Sequence, residues 1–146
     1  MVPGGSFRIT ERDRERRLVA AGARPEYVAV RYIVPLARNR AAVGLDIHAE
    51  PIRRDAIRRA AASMEMAVTA PIQLIQDEQK RSGVLELLPV KDASKPHPDG
   101  AELRPRGFAV AVVKVDEMVE IATQEHRPAG LAFQLLDTRA PAGGNV

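Results

Sequence analysis

The sequence predicts an α+β domain in which helices flank an antiparallel sheet. Three observations carry that expectation. Several short runs rich in Val, Ile and Tyr stop at Pro or Gly, as strands do. The links between most of them are short and polar, which favours hairpins over crossover connections. A single long run opened by Pro51 repeats its apolar residues at helical spacing.

Residues 1–9 read as a flexible start, and residues 10–21 as a short, mostly exposed helix. That segment carries Glu11, Arg12, Arg14, Glu15, Arg16 and Arg17, with Thr10 as a cap and Gly22 as a stop. Residues 27–36 are expected to be a strand ending at Pro35, paired with residues 41–48 across a turn at Arg38, Asn39 and Arg40. Pro51 suits the first position of a helix, where its missing N–H would be unpaired anyway, and the helix is predicted to continue over residues 52–66. Ile57, Ala60, Ala61 and Met64 form its apolar stripe, facing the sheet, while Arg54, Arg58 and Glu65 fall on the other side. Asp55 stands four residues before Arg59 and can pair with it.

Residues 68–76 and 83–90 read as a strand, a turn at 77–82 and a strand. Residues 91–106, with Pro96, Pro98, Gly100 and Pro105, read as a long exposed loop. Residues 107–115 are nearly continuous in Val, Ala and Phe and are expected to be a strand buried on both faces, after which Asp116 caps a short helix to Glu125. Residues 131–136 supply a last strand, and residues 139–146 a disordered tail. One domain over residues 10–138 is therefore expected. A PAS-like antiparallel sheet with flanking helices satisfies this order, and a generic α+β sandwich satisfies it equally.

The 22 basic residues are interleaved with 19 acidic ones, so the net charge of +3 describes a solvated surface more than a nucleic-acid patch. Aromatic residues are only 3%, with no Trp, which argues against a base-stacking surface. The absence of cysteine excludes thiol catalysis and zinc-thiolate sites. No stretch approaches the roughly 20 apolar residues of a membrane span, and the opening residues are not a secretory signal, so the chain as written reads as soluble. His48, His97 and His126 have no Ser or acidic partner at a motif spacing, so no enzymatic chemistry is expected.

Several spaced motifs together resemble the CHASE family of extracytoplasmic ligand sensors. A strand ends at Pro35 with Asn39 soon after; Gly44 and Asp46 form Gly-x-Asp; and Arg53 lies early in a helix. Thr69 then opens a strand ending Leu74-Ile75-Gln76, Gly83 precedes a strand running into Pro89-Val90, and Arg106-Gly107-Phe108 starts another. The likeness spans residues 4–137. It implies a non-catalytic module outside the cytoplasmic membrane that binds a small molecule, needs no cofactor, and controls a fused or attached cytoplasmic output domain, a histidine kinase or diguanylate cyclase, with a homodimer in prospect. The family's long N-terminal helix and flanking membrane spans are not in this sequence, so an excised periplasmic sensor fragment is expected.

Arg53 is the leading candidate ligand residue. Counting four, seven and eleven onward reaches Ile57, Ala60 and Met64, which puts Arg53 on the apolar stripe, where a guanidinium needs a partner. The partner is either an anionic ligand group or, in the bland reading, Asp46 or solvent. In plant cytokinin receptors of this family an acidic residue reads the purine at the position resembling Arg53, so a cytokinin is not expected here. The receptors' strand Thr resembles Leu87, and Ile75 matches a residue contributing mainly backbone. Thr69, Leu74 and Gln76 complete the expected ligand contacts, although Thr69 is also a good half-buried strand residue. Tyr32 and Gln76 could line the pocket mouth or only cap strand ends. Asp46 with Asn39 lacks the three converging oxygens a cation wants. The alternative to sensing is an assembly module, with residues 10–21 and the sheet forming a dimer interface.

Overall fold

The computed structural model describes residues 7–73, 82–91 and 105–124. Two compact units divide the chain, Met1–Arg54 and Asp55–Val146.

In the first unit, strands β1 (Thr10–Arg12) and β2 (Leu18–Ala20) pair antiparallel, Thr10 opposite Ala20 and Arg12 opposite Leu18. The helix expected over residues 10–21 is therefore a hairpin. Asp13 explains the difference. Its Oδ1 accepts from the backbone N–H groups of Glu15 and Arg17, both at 2.9 Å, and Arg16 takes φ 64°, so the chain reverses where a helix would have continued.

The two strands expected at residues 27–36 and 41–48 do not form as regular strands. Backbone pairing between them survives as a short stretch: Val30 N–H donates to the Leu45 carbonyl, Gly44 N–H to that of Val30 and Ile47 N–H to that of Val28. The rest of the segment coils into a short helix α1 (Leu36–Asn39) and 3-10 turns at Arg40–Ala42 and Ile47–Ala49. Gly44 is obligatory here, since its φ is +86° and a Cβ would run into the Arg8 carbonyl oxygen. Thr10 N–H donates to the Gly44 carbonyl and Asp46 N–H to that of Thr10, which ties β1 to this segment.

Helix α2 (Pro51–Ser63) is as the sequence predicts at its start, and the unit boundary falls within it after Arg54. Glu50 caps it, its two carboxylate oxygens accepting from Ile52 N–H and Arg53 N–H at 3.1 Å each. Met64, at φ 54°, leaves helical geometry and ends it. Ala56, Ile57 and Ala60 are buried, Arg58 is exposed, and Asp55 Oδ2 pairs with Arg59 Nε at 3.0 Å, as the spacing implies.

The second unit is organised by β5 (Ser82–Val90), with β6 (Gly107–Lys114) antiparallel along one side and β3 (Ala67–Val68) and β4 (Ile72–Gln73) along the other. The strand expected over residues 68–76 is thus interrupted. Val68 faces Glu86 while Ile72 faces Gly83, so Thr69, Ala70 and Pro71 oppose only Val84 and Leu85. That is a bulge, and Pro71, which has no N–H to give a ladder, sits within it. Arg59 Nη2 donates to the Val68 carbonyl at 2.7 Å and joins α2 to β3.

The strand predicted to be buried on both faces, β6, is not. Val110 and Val112 are 41% and 51% exposed, and among the described residues β5 is the only strand that β6 pairs with. Helix α3 (Val115–Thr123) follows directly, with Asp116 inside its first turn and not at the cap. Its carboxylate still lies where the helix dipole favours it. The strand expected at 131–136, most of the loop expected at 91–106 and the tail at 139–146 lie outside the described residues.

Candidate functional site

Arg53 is the third residue of α2 and points inward, with only 7% of its surface exposed. Burial that deep normally requires a paired guanidinium. Asp46, the partner in the bland reading, does not pair with it. Asp46 Oδ1 accepts from Val28 N–H at 2.9 Å and His48 N–H at 3.0 Å, and its Oδ2 lies 3.3 Å from Arg24 Nη1. Arg24 in turn pairs with Glu11. Asp46 Oδ1 is thus used in holding residues 28–48 together, Oδ2 has the Arg24 ion pair but no hydrogen bond, and Asn39, which donates to the Pro35 carbonyl, does not join it.

The acid nearest Arg53 is Glu50, whose Oε2 stands 4.0 Å from Arg53 Nε, beyond hydrogen-bond reach. Glu50 is committed to the helix cap, so it supplies charge without a bond. Arg53 Nε is buried with no hydrogen-bond partner. Burial pushes the guanidinium below its ordinary pKa, Glu50 opposes the shift, and the charge of Arg12 adds to it. Arg stays protonated regardless, so a buried cation lacks its acceptor.

Three more atoms of the first unit are buried without a hydrogen-bond partner: Arg12 Nε, Thr10 Oγ1 and Asp46 Oδ2, the last held only by its ion pair with Arg24. Thr10 and Arg12 are two apart on β1 and share one face, while Glu11 on the other face holds Arg24 and accepts from Gly22 N–H at 3.2 Å. Burial lowers the Arg12 pKa too, with the charge of Arg16 adding. The sequence reading missed Arg12 because a helix was expected there; the Thr-Glu-Arg alternation was its only signal.

In the second unit, Thr69 is buried in the bulge. Its N–H donates to the Leu85 carbonyl and its Oγ1 accepts from Leu85 N–H, both at 2.9 Å. The hydroxyl thus replaces the ladder bond that the bulge interrupts, and its proton stays free to be donated. Leu87 is fully buried opposite Ala67, on the same face as Leu85. Leu74, Ile75 and Gln76 lie outside the described residues. Tyr32 is 70% exposed with Arg31 5.6 Å from its ring. Among the described residues no group of three or more His, Asp or Glu converges as a cation site, and no helix is long and apolar enough to cross a membrane.

A family model described as CHASE domain matches residues 3–146. No curated protein matches the chain.

Proposed function

The chain belongs to the CHASE domain family, an extracytoplasmic sensing module of receptors, and from that premise we propose that it senses a small anionic molecule through Arg53. The observation that carries the reading is the buried, unpartnered Arg53 Nε. An orphaned buried donor of a charged group costs more than an ordinary unmade hydrogen bond, and a ligand carboxylate or similar group would remove that cost. By family resemblance Thr69 and Leu87 are further ligand contacts, with Leu74, Ile75 and Gln76. The domain does no chemistry itself, lies on the periplasmic side of the membrane, and passes its state to an attached histidine kinase or diguanylate cyclase.

Binding signals only if the ligand prefers one of two arrangements, and a few kcal/mol of preference moves a closely balanced receptor. The arrangement with a satisfied Arg53 is the one an anion would favour. A second reading, an assembly module, draws support from apolar residues exposed on both faces of the sheet, Leu88 and Val90 on one and Val110 and Val112 on the other.

A thermal-shift screen against carboxylates, amino acids and purines, run on the chain and on Arg53→Ala, tests this. A ligand that binds only the folded state raises the melting temperature. A carboxylate that stabilises the wild type and not the variant is the expected result. A stabilising ligand indifferent to the variant discards Arg53, and no stabilisation across the panel moves the weight to assembly.

A further inference from the structure

The first unit holds more unmet donor capacity than one carboxylate can use. Arg53 Nε, Arg12 Nε and Thr10 Oγ1 are each buried with no hydrogen-bond partner. Two other arginines of the same unit are matched: Arg24 has Glu11 and Asp46, and Arg17 has Asp13 and Glu15. The one acid beside Arg53, Glu50, is held by the backbone of α2 and lies 4.0 Å from the guanidinium. Two guanidiniums and a hydroxyl of this unit therefore lack acceptors, while Glu50 is committed to the helix start and Asp46 Oδ2 to its ion pair with Arg24.

Their placement follows from the backbone. Thr10 and Arg12 project from one face of β1, and Thr10 is bonded through its own N–H and carbonyl to Gly44 and Asp46. The 3-10 turn Ile47–Ala49 then leads into Glu50 and α2, so the route from Thr10 to Arg53 is short and hydrogen-bonded along its first part. Arg12 lies close enough to Arg53 for its charge to make the buried cation costlier. Holding two like charges near each other with only one carboxylate, itself bonded to the backbone, is unfavourable in a region of low dielectric. A folded chain that keeps this arrangement gains most from an anion between them.

We propose that Arg12 and Arg53 together form the reading head for an oxyanion carrying two negative charges, with the Thr10 hydroxyl as a third contact. The inference deepens the sensor reading and rests on it. Two guanidinium forks present parallel N–H donors, which suits a group with several oxygens sharing charge, such as a phosphate ester or sulfate, or two carboxylates on a short chain. A monocarboxylate satisfies one fork and leaves the repulsion half relieved. Selectivity for dianions over monoanions is the functional consequence, and Arg12 is the residue that confers it.

The test uses the full 146-residue chain with four probes, sulfate, inorganic phosphate, succinate and acetate, at constant ionic strength set with sodium chloride. Variants are Arg12→Gln, Arg53→Gln, Arg12→Lys and, as a net-charge control, the exposed Arg14→Gln. At least one dianion raises the melting temperature of the wild type and of Arg14→Gln well beyond acetate. Arg12→Gln loses about tenfold or more of that dianion affinity, a loss of roughly 1.4 kcal/mol, and keeps its acetate affinity within about twofold. Arg12→Lys retains part of the response, since the charge remains and the fork does not. In chloride alone, Arg12→Gln melts no lower than the wild type, because it removes a repulsion and breaks no bond. Sulfate or phosphate acting alone identifies a tetrahedral group, and succinate acting alone a dicarboxylate; either supports the inference. An Arg12→Gln chain that keeps the wild-type dianion affinity, or that melts well below wild type without anions, overturns it. So does a wild-type chain indifferent to all three dianions, an outcome that leaves the sensor reading to the broader screen with Arg53→Ala.

Discussion

Among the described residues, the largest fully buried side chain of the first unit is a carboxylate, Asp46, and that of the second an aliphatic one, Leu87. The contrast runs through both units. Residues 7–54 form a single ladder of three residue pairs, and beside a few isolated backbone bonds side chains satisfy much of the rest: Asp13 at a turn, Asp46 across two segments, Glu50 at a helix start, Tyr27 Oη accepting from Arg24 N–H and donating to the Gly22 carbonyl. The second unit runs eight residue pairs between β5 and β6 and buries Ala56, Ile57, Ala60, Ala67, Ile72, Leu85, Leu87 and Val115. A polar framework specifies geometry tightly but leaves charges to be matched one by one. Unmatched cations therefore arise in the first unit, and a sensing site built from charge arises with them.

Asp46→Ala probes the comparison hardest. It strands two backbone N–H groups, of Val28 and His48, and uncovers Arg24, so a loss of about 3–5 kcal/mol is expected, as for a buried pair broken on one side. Urea unfolding measures it. Leu87→Ala should cost somewhat less, about 2–4 kcal/mol, from lost burial plus the cavity left between β3 and β6. If Leu87→Ala proves clearly the larger, the first unit's polar framework is decoration on a structure held by its few apolar residues, Ala42, Leu45 and Ile47, and the contrast drawn above fails.

The same contrast explains what the sequence revealed. Strands β5 and β6 and helix α2 were legible because hydrophobic spacing and Pro51 report directly on burial and backbone geometry. The hairpin at residues 10–20 was not, because its stretch is charged throughout and reversal is decided by one side chain, Asp13, bonding to its own backbone. The bulge at Thr69 was hidden as well: Pro71 was the one sign of it, and a proline inside a strand also fits an edge. At the site, Arg53 was found by counting along α2, since its burial follows from periodicity. Arg12 was missed since its face depends on a strand the composition disguised, and the true partner of Asp46 depends on which of many arginines the fold brings near. Pairwise electrostatics of this kind has no period to read.

Asp13 gives the finest test, since it distinguishes a turn held by charge from one held by shape. The backbone N–H of Arg17 is the main cause of its lowered pKa, followed by burial, which opposes, then the Arg17 side chain and the Glu15 N–H. A carboxylate whose native pKa is depressed adds stability that is present above its unfolded pKa and disappears as the pH falls through the native value. Wild type should therefore exceed Asp13→Ala in urea midpoint at neutral pH, and the gap should close in acid below the ordinary carboxylate range. Asp13→Asn keeps the acceptor oxygen for the two N–H bonds and loses the pairing with Arg17, so it should fall between them with little pH dependence of its own. A gap between wild type and Asp13→Ala that persists in strong acid would mean that the reversal at residues 13–17 is set by Arg16 in its left-handed conformation and not by the carboxylate, and the first unit would then depend less on charge than its hydrogen bonds imply.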